Sequence, residues 1–374
     1  MAAFALEPDQ LEWCAGVRDL AARQLRPLAE KGEPGRVNRP LLAALGELGL
    51  LARVFTKSQR VSALDLCLLR ESLARECTAA ETALALQGLG AHPVVQAGSR
   101  EQRERWLPEV AAGRAVAAFA LSEPGAGSDA AALALTAEPD GPGRWRLTGE
   151  KRWISNAPEA DFYTVFARTG EAAGARGITA FLLPADRPGL SGEHLDMLSP
   201  HPIGTLRLHG VPVGTADLLG ESGRGFTVAM RTLDLFRPSV GAFAVGMAYA
   251  AIDAALAHAA RRTAFGGPLR ELQSVSHRLA EMATRTEAAA LLVRAAAAAY
   301  DAGAPDVAKR SAMAKLFATE TAQYVVDAAV QIHGARALQA GHLLEHLYRE
   351  VRAPRIYEGA TEVQRTIIAK ELYR

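Results

Sequence analysis

The features that this 374-residue chain lacks exclude several classes of protein. It has three cysteines and no Cys-x-x-Cys pair, which argues against a disulfide framework or a zinc site. Its formal net charge of +1 gives no reason to expect a nucleic-acid partner. No apolar run comes near the ~20 residues of a membrane span, and the N-terminal MAAFALEPDQ lacks the basic region of a signal peptide. We therefore expect a cytoplasmic protein with no membrane span.

The composition is that of a globular protein, with 49% hydrophobic and 22% charged residues, and the length allows two or three domains. The sequence pattern changes twice along the chain. Apolar residues at three- and four-residue spacing predict helices over 1–115, and β-branched and aromatic runs between Gly and Pro predict an antiparallel β domain over 116–222. Long Ala-rich stretches predict a C-terminal helical bundle over 223–374. The expected fold is α+β, mostly α.

Several local patterns make finer predictions. The stretch SREQRERWLPEVAAG predicts a helix that starts with a Ser99 cap and stops at Gly113. GRWRLTGEKRWIS consists of two short runs divided at Thr148-Gly149, which predicts a hairpin. The polar RVFTKSQRVSA predicts a loop between helices.

The stretch FALSEPGAGSD, residues 119–129, is the first candidate for a ligand site. Its Pro and glycines disfavour regular structure, and bare backbone at Gly127 would let a planar or phosphate-bearing ligand approach closely. Ser122 and Ser128 offer hydroxyls, while Phe119 and Leu121 offer an apolar wall. A solvated interdomain loop is the alternative interpretation.

Two further stretches contain aromatic candidates. In KRWISNAP, Trp153 and Ser155 would share a face of a strand and suit a flat heteroaromatic cofactor, although a half-buried core Trp is the alternative. In RRTAFGGPLRELQ, Arg262 and Phe265 lie at a helix end, where an Arg can pair with phosphate or stack on a ring. A helix C-cap explains that second pattern equally well.

The stretch RIYEGATEVQ, residues 355–364, places the acid Glu358 directly before Gly359. One interpretation is a solvated surface turn, which is the usual place for a lone acid. The other is a general base held at a helix start with bare backbone beside it. The residues alone leave both interpretations open, and His333 is predicted to be a core or helix-end residue.

Taken in order, LSEPGAGSD, WIS, RTAFG with the later LQ, QIHG and IYEGATEVQR resemble the acyl-CoA dehydrogenase family over nearly the whole chain. The resemblance implies a helical N-terminal domain, a middle β domain, a C-terminal four-helix bundle, and FAD as cofactor. It implies dehydrogenation of an acyl-CoA thioester to the trans-2-enoyl thioester, within fatty acid metabolism. Electron-transferring flavoprotein is the implied electron acceptor, and a homotetramer made of paired dimers is the implied assembly.

The resemblance also implies roles for individual residues. Glu358 is the implied catalytic base, taking the α-proton while the β-hydride goes to flavin N5. The implied cofactor-binding residues are Phe119, Leu121, Ser122, Gly127, Ser128, Trp153, Ser155, Arg262, Phe265, Gln273, Gln331, Gly334, Ala360 and Glu362. The implied substrate-binding residues are Ser128, Asp234, Arg237, Gly359 and Lys370. Some family members place the base directly before the Arg of the first bundle helix, but that residue here is Phe236, which cannot accept a proton.

The sequence departs from the family pattern in three places. Residues 52–62 replace a usual Gly-Gly loop, Ala335 to Ala337 follow QIHG where a Gly and an aromatic are common, and Ala360 stands in place of a Thr. Two neighbouring functions therefore stay open: a dehydrogenase of carrier-protein-bound acyl groups and a flavin-dependent oxidase on the same fold. A non-catalytic binding protein on this fold is a hypothesis of another class.

Overall fold

The computed structural model describes residues 6–55, 61–170, 172 and 174–373, so residues 56–60 of the loop RVFTKSQRVSA lie outside the described residues. Helices dominate the chain before the first strand. Their bounds are α1 Pro8–Leu20, α2 Arg26–Ala29, α3 Arg39–Glu47, α4 Ala63–Glu76, α5 Thr78–Ala97 and α6 Arg100–Ala111. A π-helical turn, Ala21–Leu25, joins α1 to α2.

Helix α6 begins and ends where the sequence predicts. The Ser99 hydroxyl accepts a hydrogen bond from the Gln102 backbone N–H, and the Gln102 side chain accepts one from the Ser99 N–H, which completes a capping box. At the other end Gly113 takes a φ of +70°, a left-handed conformation that glycine adopts at little cost.

The middle of the chain forms one seven-stranded sheet in the described residues. Its strands are β1 Ala117–Ala120, β2 Thr136–Pro139, β3 Arg144–Ser155, β4 Phe162–Arg168, β5 Ile178–Pro184, β6 Leu190–His194 and β7 Ile203–Gly214. The strand order is β1-β4-β2-β3-β7-β6, with β5 paired to β4. The sheet is mixed rather than purely antiparallel, because β4 pairs in parallel with both β1 and β2. Parallel pairing is possible because intervening chain carries the backbone to the opposite end before β4 begins.

The predicted hairpin at Thr148-Gly149 is wrong, because both runs belong to the single strand β3. The pairing of β3 with β7 shifts register between Leu147 and Gly149, so the glycine marks a bulge instead of a turn. A Cβ at Gly149 would lie 3.1 Å from the Leu135 Cα. The close approach of Leu135, a contact distant in sequence, therefore explains the glycine.

The last part of the chain is helical, as predicted. Its elements are α7 Gly225–Arg261, the two-residue strands β8 Thr263–Ala264 and β9 Gly267–Pro268, and the helices α8 Gln273–Asp301, α9 Val307–His333, α10 Leu343–Glu350 and α11 Thr361–Leu372. Helix α9 packs against α8, α10 and α11. Helix α7 is long and apolar enough to cross a membrane, but 72% of its most apolar stretch is buried, as in a core helix.

The described chain separates into two compact units. The helical unit contains 6–26, 62–81 and 234–373, and the sheet unit contains 27–55, 61 and 82–233. The sheet unit has a core of side chains from α5, α6, the sheet and the start of α7, including Phe162, Phe166 and Val228. The three domains with bounds 1–115, 116–222 and 223–374 stay a prediction.

The start of α7 provides a test of packing in the sheet unit. A Cβ added at Gly225 would collide with the backbone of Thr179 and Ala180 in β5. We expect Gly225→Ala to lower the free energy of unfolding by about 1–3 kcal/mol, because β5 backbone cannot move without breaking its pairing with β4. Gly16→Ala in α1 is the control, since no described atom beyond the helix's own nearby backbone and the two chain neighbours lies within 4 Å of its Cβ position. It should be neutral or stabilising by up to about 1 kcal/mol. Equal thermal stability of the two variants would contradict this packing.

Candidate functional site

Backbone strain marks three of the residues singled out from the sequence. In the described chain the non-glycine residues with positive φ are Trp153, Asn156, Phe265 and Glu358, with φ of 58°, 65°, 55° and 50°. Such conformations cost of order 1–3 kcal/mol each and cluster at functional sites. Trp153, Phe265 and Glu358 are therefore strained residues that the sequence also singles out as candidates for a functional site.

In the sheet unit, Trp153 lies where β3 loses its regular pairing with β7. The register shifts between Lys151 and Ile154, and the indole of Trp153 is left 47% exposed. Simple alternation therefore does not fix the directions of Trp153 and Ser155. The Asn156 side chain donates to the Ala117 carbonyl at 2.8 Å, which ties the end of β3 to β1.

The loop 121–129 is anchored in the sheet unit by a buried ion pair. Lys151, which is fully buried, donates to a Glu123 carboxylate oxygen at 2.7 Å and to the Leu121 carbonyl at 3.0 Å. The same carboxylate accepts from the backbone N–H groups of Ala134 and Leu135 at 2.6 and 3.0 Å. Burial lowers the pKa of Lys151 to about 8, while Glu123 opposes that shift. The loop is therefore held at its start by charge-assisted hydrogen bonds.

The backbone of the rest of this loop, around Gly125 and Gly127, is not covered by other parts of the described chain. Apart from the glycine and its two chain neighbours, no described residue has an atom within 4 Å of a Cβ position at Gly125 or Gly127. Ser128 is exposed, while Ser122 is half-buried. Phe119 packs on Phe166 with ring centroids 4.9 Å apart, and Leu121 is 8% exposed, so these two side chains belong to the core. Open glycine backbone, hydroxyls and an exposed indole suit a flat, phosphate-bearing group.

In the helical unit, Glu358 lies in the turn between a 3₁₀ segment, Ala353–Arg355, and α11. Its Oε2 atom is buried and accepts no hydrogen bond from the described residues. Burial raises the pKa of the Glu358 carboxyl, and the cations Arg70, Lys315 and Arg237 partly oppose that rise. Glu358 is therefore not a solvated surface acid.

The two arginines near Glu358 are themselves held by side chains. The buried Arg70 forms an ion pair with the fully buried Glu81 and donates to the Ser239 hydroxyl at 2.6 Å. Arg237 donates to the Asp234 carboxylate at 2.8 Å, one helical turn away. Asp234 and Arg237 of α7 therefore lie near the turn that carries Glu358 and Gly359, and their role in binding a substrate stays a prediction.

A second group of candidates in the helical unit lies at helix ends. Rings of His258 near the end of α7 and His333 at the end of α9 stack with centroids 4.1 Å apart. This stack brings together the segments that carry Arg262, Phe265, Gln331 and Gly334. Phe265 is 94% exposed in the short β8–β9 hairpin, and Gln273 begins α8.

The remaining candidates lie along α11. Ala360 is the N-cap residue and Glu362 lies in the first turn. Lys370 is exposed and lies about 12 Å further along the helix than Glu362, by the rise per residue. Lys370 is therefore not part of the cluster around Glu358.

Sequence reasoning missed Arg70, Glu81 and Lys315, although a signal was present for the two cations. Arg70 follows Leu66, Cys67 and Leu69 on the buried face of α4, and Lys315 falls in the buried face of α9. A cation at the apolar positions of a helical repeat is rarely buried without a partner. No local pattern identifies Glu81 as that partner for Arg70.

Comparison with known proteins decides the family. The N-terminal, middle and C-terminal domain models of acyl-CoA dehydrogenases match residues 7–114, 118–211 and 223–373. The chain belongs to the acyl-CoA dehydrogenase family. It is an oxidoreductase that acts on a CH–CH group.

Relatives and solved structures of this family cover almost the whole chain. Cyclohexane-1-carbonyl-CoA dehydrogenase of Geobacter metallireducens is 36% identical over 96% of this chain and 96% of the relative. The structure of butyryl-CoA dehydrogenase from Megasphaera elsdenii matches with a TM-score of 0.92 and 33% identity, covering 99% of this chain and 100% of that one. PigA, solved with FAD and proline, matches with a TM-score of 0.92 and 26% identity over 99% of both chains.

Acyl-CoA dehydrogenases bind FAD, and this chain is a flavoprotein of that family. The residues of the sheet unit fit such a group, because the 121–129 loop offers unobstructed glycine backbone and Trp153 an exposed aromatic face. Phe265 adds an exposed ring in the helical unit.

The exposed indole of Trp153 leads to a binding prediction. We expect Trp153→Leu to weaken FAD binding about fivefold, because stacking on an aromatic ring contributes of order 1 kcal/mol. The loss of stability should be small, since nearly half of the side chain is exposed. Trp145→Leu is the matched control in the same strand, where the indole packs edge-on against Phe181. Titration of the apoprotein with FAD, followed by fluorescence, measures both; equal affinity in the two variants would contradict a role for Trp153.

Proposed function

We propose that Glu358 is the base that removes the α-proton of an acyl-CoA, which yields the trans-2-enoyl thioester. One observation carries this proposal: a carboxylate oxygen is buried without a hydrogen-bond donor from the described residues, on a strained turn, among three cations. A purely structural carboxylate would be expected to accept hydrogen bonds.

The electrostatics suit a base rather than a fixed ion. The α-proton of a thioester is a very weak acid, so a carboxylate with an ordinary pKa is a poor acceptor for it. Burial raises the pKa of Glu358 and makes it a stronger base, while Arg70, Lys315 and Arg237 favour its ionised form. Because burial and the three cations act in opposite directions, the Glu358 carboxyl can be ionised before the reaction and still accept a proton during it. The Glu358 backbone N–H would donate to the thioester carbonyl and stabilise the enolate that develops.

The cofactor is proposed to be held by residues 119–128, at the end of β1 and in the loop that follows it, together with Trp153 and Ser155. Arg262, Phe265, Gln273 and the segment 331–335 are proposed to hold its adenosine half in a neighbouring subunit, and Ala360 with Glu362 to contact it. When bound, FAD supplies the oxidant that takes the hydrogen from Cβ. Asp234, Arg237, Ser128, Gly359 and Lys370 are proposed to contact the substrate.

The wider biochemical role follows from the family. We propose electron-transferring flavoprotein as the electron acceptor, a homotetramer as the assembly, and a cytoplasmic role in fatty acid metabolism. Two of the similar proteins are named as dehydrogenases of butyryl-CoA and of cyclohexane-1-carbonyl-CoA, so these two compounds are the first substrates to examine. Light scattering on the purified holoenzyme measures the assembly directly.

Removal of the base is the principal test. We expect Glu358→Gln to bind FAD and remain yellow, but to lose bleaching by acyl-CoA under anaerobic conditions by about 10²–10⁴-fold, because the amide cannot accept the proton. Stopped-flow absorbance of the flavin measures the rate.

The surface variant Glu281→Gln is the control for charge, since Glu281 is half exposed and its ion-pair partner, Arg285, lies one turn along α8. It should bleach at the wild-type rate. Wild-type protein that binds FAD but is not bleached by any acyl-CoA would reject the reaction, and full activity in Glu358→Gln would reject the base.

The raised pKa of Glu358 predicts an acid limit to activity. Only the ionised carboxylate accepts a proton, so the bleaching rate should fall about tenfold per pH unit once pH drops below that pKa. Because burial raises the pKa above its usual value, the fall should begin above about pH 4.5, and the rate should recover when the pH is raised again. Bleaching rates between about pH 4 and 9, with unfolding followed in parallel, provide the measurement. A rate that stays constant down to about pH 4 would exclude Glu358 as the base.

A further inference from the structure

A second charged side chain, Lys315, contacts the turn that carries Glu358. Lys315 lies on α9, is fully buried, and shares the buried face of that helix with Ser311, Ala312 and Ala318. Its ammonium donates to the Gly359 carbonyl at 2.7 Å. A buried ammonium is costly unless it is paired, so this contact needs a physical reason.

The turn at 358–359 is an unusual backbone conformation. Glu358 and Gly359 both have positive φ, +50° and +94°. Gln364, itself fully buried, donates to the Gly359 carbonyl at 2.8 Å and more weakly to the Glu358 carbonyl at 3.3 Å. A Cβ at position 359 would collide with the Gln364 amide nitrogen, which explains the glycine. Lys315 and Gln364 therefore both donate to the Gly359 carbonyl of the strained turn.

The three cations near this turn differ in their partners: the two arginines pair with carboxylates, whereas Lys315 donates to a backbone carbonyl. Arg70 has Glu81 as its ion-pair partner and Arg237 has Asp234. Glu320, near Lys315, pairs with Arg355 at 2.8 Å and accepts from the Thr361 hydroxyl at 2.8 Å. The charged groups that face Lys315 are Glu358, Arg237, Glu320 and Glu362, and those that face Glu358 are Arg70, Lys315 and Arg237.

Lys315 and Glu358 each favour the charged form of the other. Among the charges that face it, the Glu358 carboxylate does most to keep it protonated, although burial still lowers the pKa of Lys315 to about 8. At lower pH the ammonium is charged, and it favours the ionised form of Glu358 in return.

We propose that Lys315 is a positioning residue for Glu358: its ammonium holds the Gly359 carbonyl, fixes the turn that aims the carboxylate, and keeps that carboxylate ionised. The inference rests on the proposed role of Glu358 as the base. Gln364 is its uncharged counterpart, because it holds the same carbonyl without contributing charge.

Matched variants separate the two effects. Lys315→Met removes both the hydrogen bond and the charge, and Gln364 remains as a donor to Gly359. Gln364→Met removes the uncharged donor and leaves the ammonium. Lys309→Met is the control for loss of charge on the same helix. Lys309 lies at the start of α9, where its ammonium is 4.0 Å from the Asp306 carboxylate, and it is not among the cations that face Glu358. Lys315→Gln provides the same loss of charge with a polar side chain if the Met variant fails to fold.

The first readout is independent of turnover. Difference infrared spectroscopy of the holoenzyme over a pH series follows the Glu358 carboxyl, with Glu358→Gln used to assign the band. We expect Lys315→Met to raise the Glu358 titration point by about one pH unit or more, because the nearby cation that favours the carboxylate is gone. Gln364→Met and Lys309→Met should leave the titration point within about 0.3 pH unit of the wild type.

The second readout is the rate of flavin bleaching by acyl-CoA. In Lys315→Met its acid limit should move to higher pH by the same amount, so that kcat/KM on the acid side falls about tenfold. Gln364→Met should lower kcat without moving the limit, and Lys309→Met should behave as wild type.

An unchanged Glu358 titration in a folded Lys315→Met variant would overturn the proposal, and so would an equal shift in Lys309→Met. Failure of the proposed function looks different: wild-type holoenzyme would not be bleached by any acyl-CoA, while the infrared titrations would still report whether Lys315 controls the carboxyl.

Discussion

The hydrogen bond from the Lys315 ammonium to the Gly359 carbonyl joins the middle of α9 to a turn 44 residues later in the chain. Two consecutive left-handed residues are unstable without such support, because a non-glycine residue at positive φ is strained. The contact links the fully buried Lys315 to the turn that carries Glu358 and directly precedes α11, which begins at Thr361.

The acid–base character of Glu358 results from a balance between burial and charge. Burial favours the neutral carboxyl, and three cations favour the carboxylate. The two arginines have acids of their own, Glu81 and Asp234, which limit their effect and keep them in place. Such networks allow a carboxyl to be ionised without becoming the fixed partner of any single cation.

The sheet unit uses a comparable arrangement at its own candidate loop. Lys151 is fully buried, donates to the Leu121 carbonyl and pairs with Glu123, and its pKa is also lowered to about 8. In both units a buried lysine holds a backbone carbonyl beside a segment that was identified from its sequence. A lysine suits this task because its long flexible stem reaches a carbonyl while its ammonium offers several donors.

Periodicity, capping residues and glycine-rich motifs are local signals, so the helical ends of the chain, the β-rich middle and the segments that carry Trp153, Phe265 and Glu358 can be predicted from the amino-acid sequence. The family and its FAD cofactor also follow from those motifs in order. The parallel pairing of β1 with β4, the bulge at Gly149 and the contact of Lys315 with Gly359 were decided by the tertiary structure alone. Each of these depends on residues far apart in the chain, and a spacing pattern within one segment contains no information about which distant backbone group it will meet.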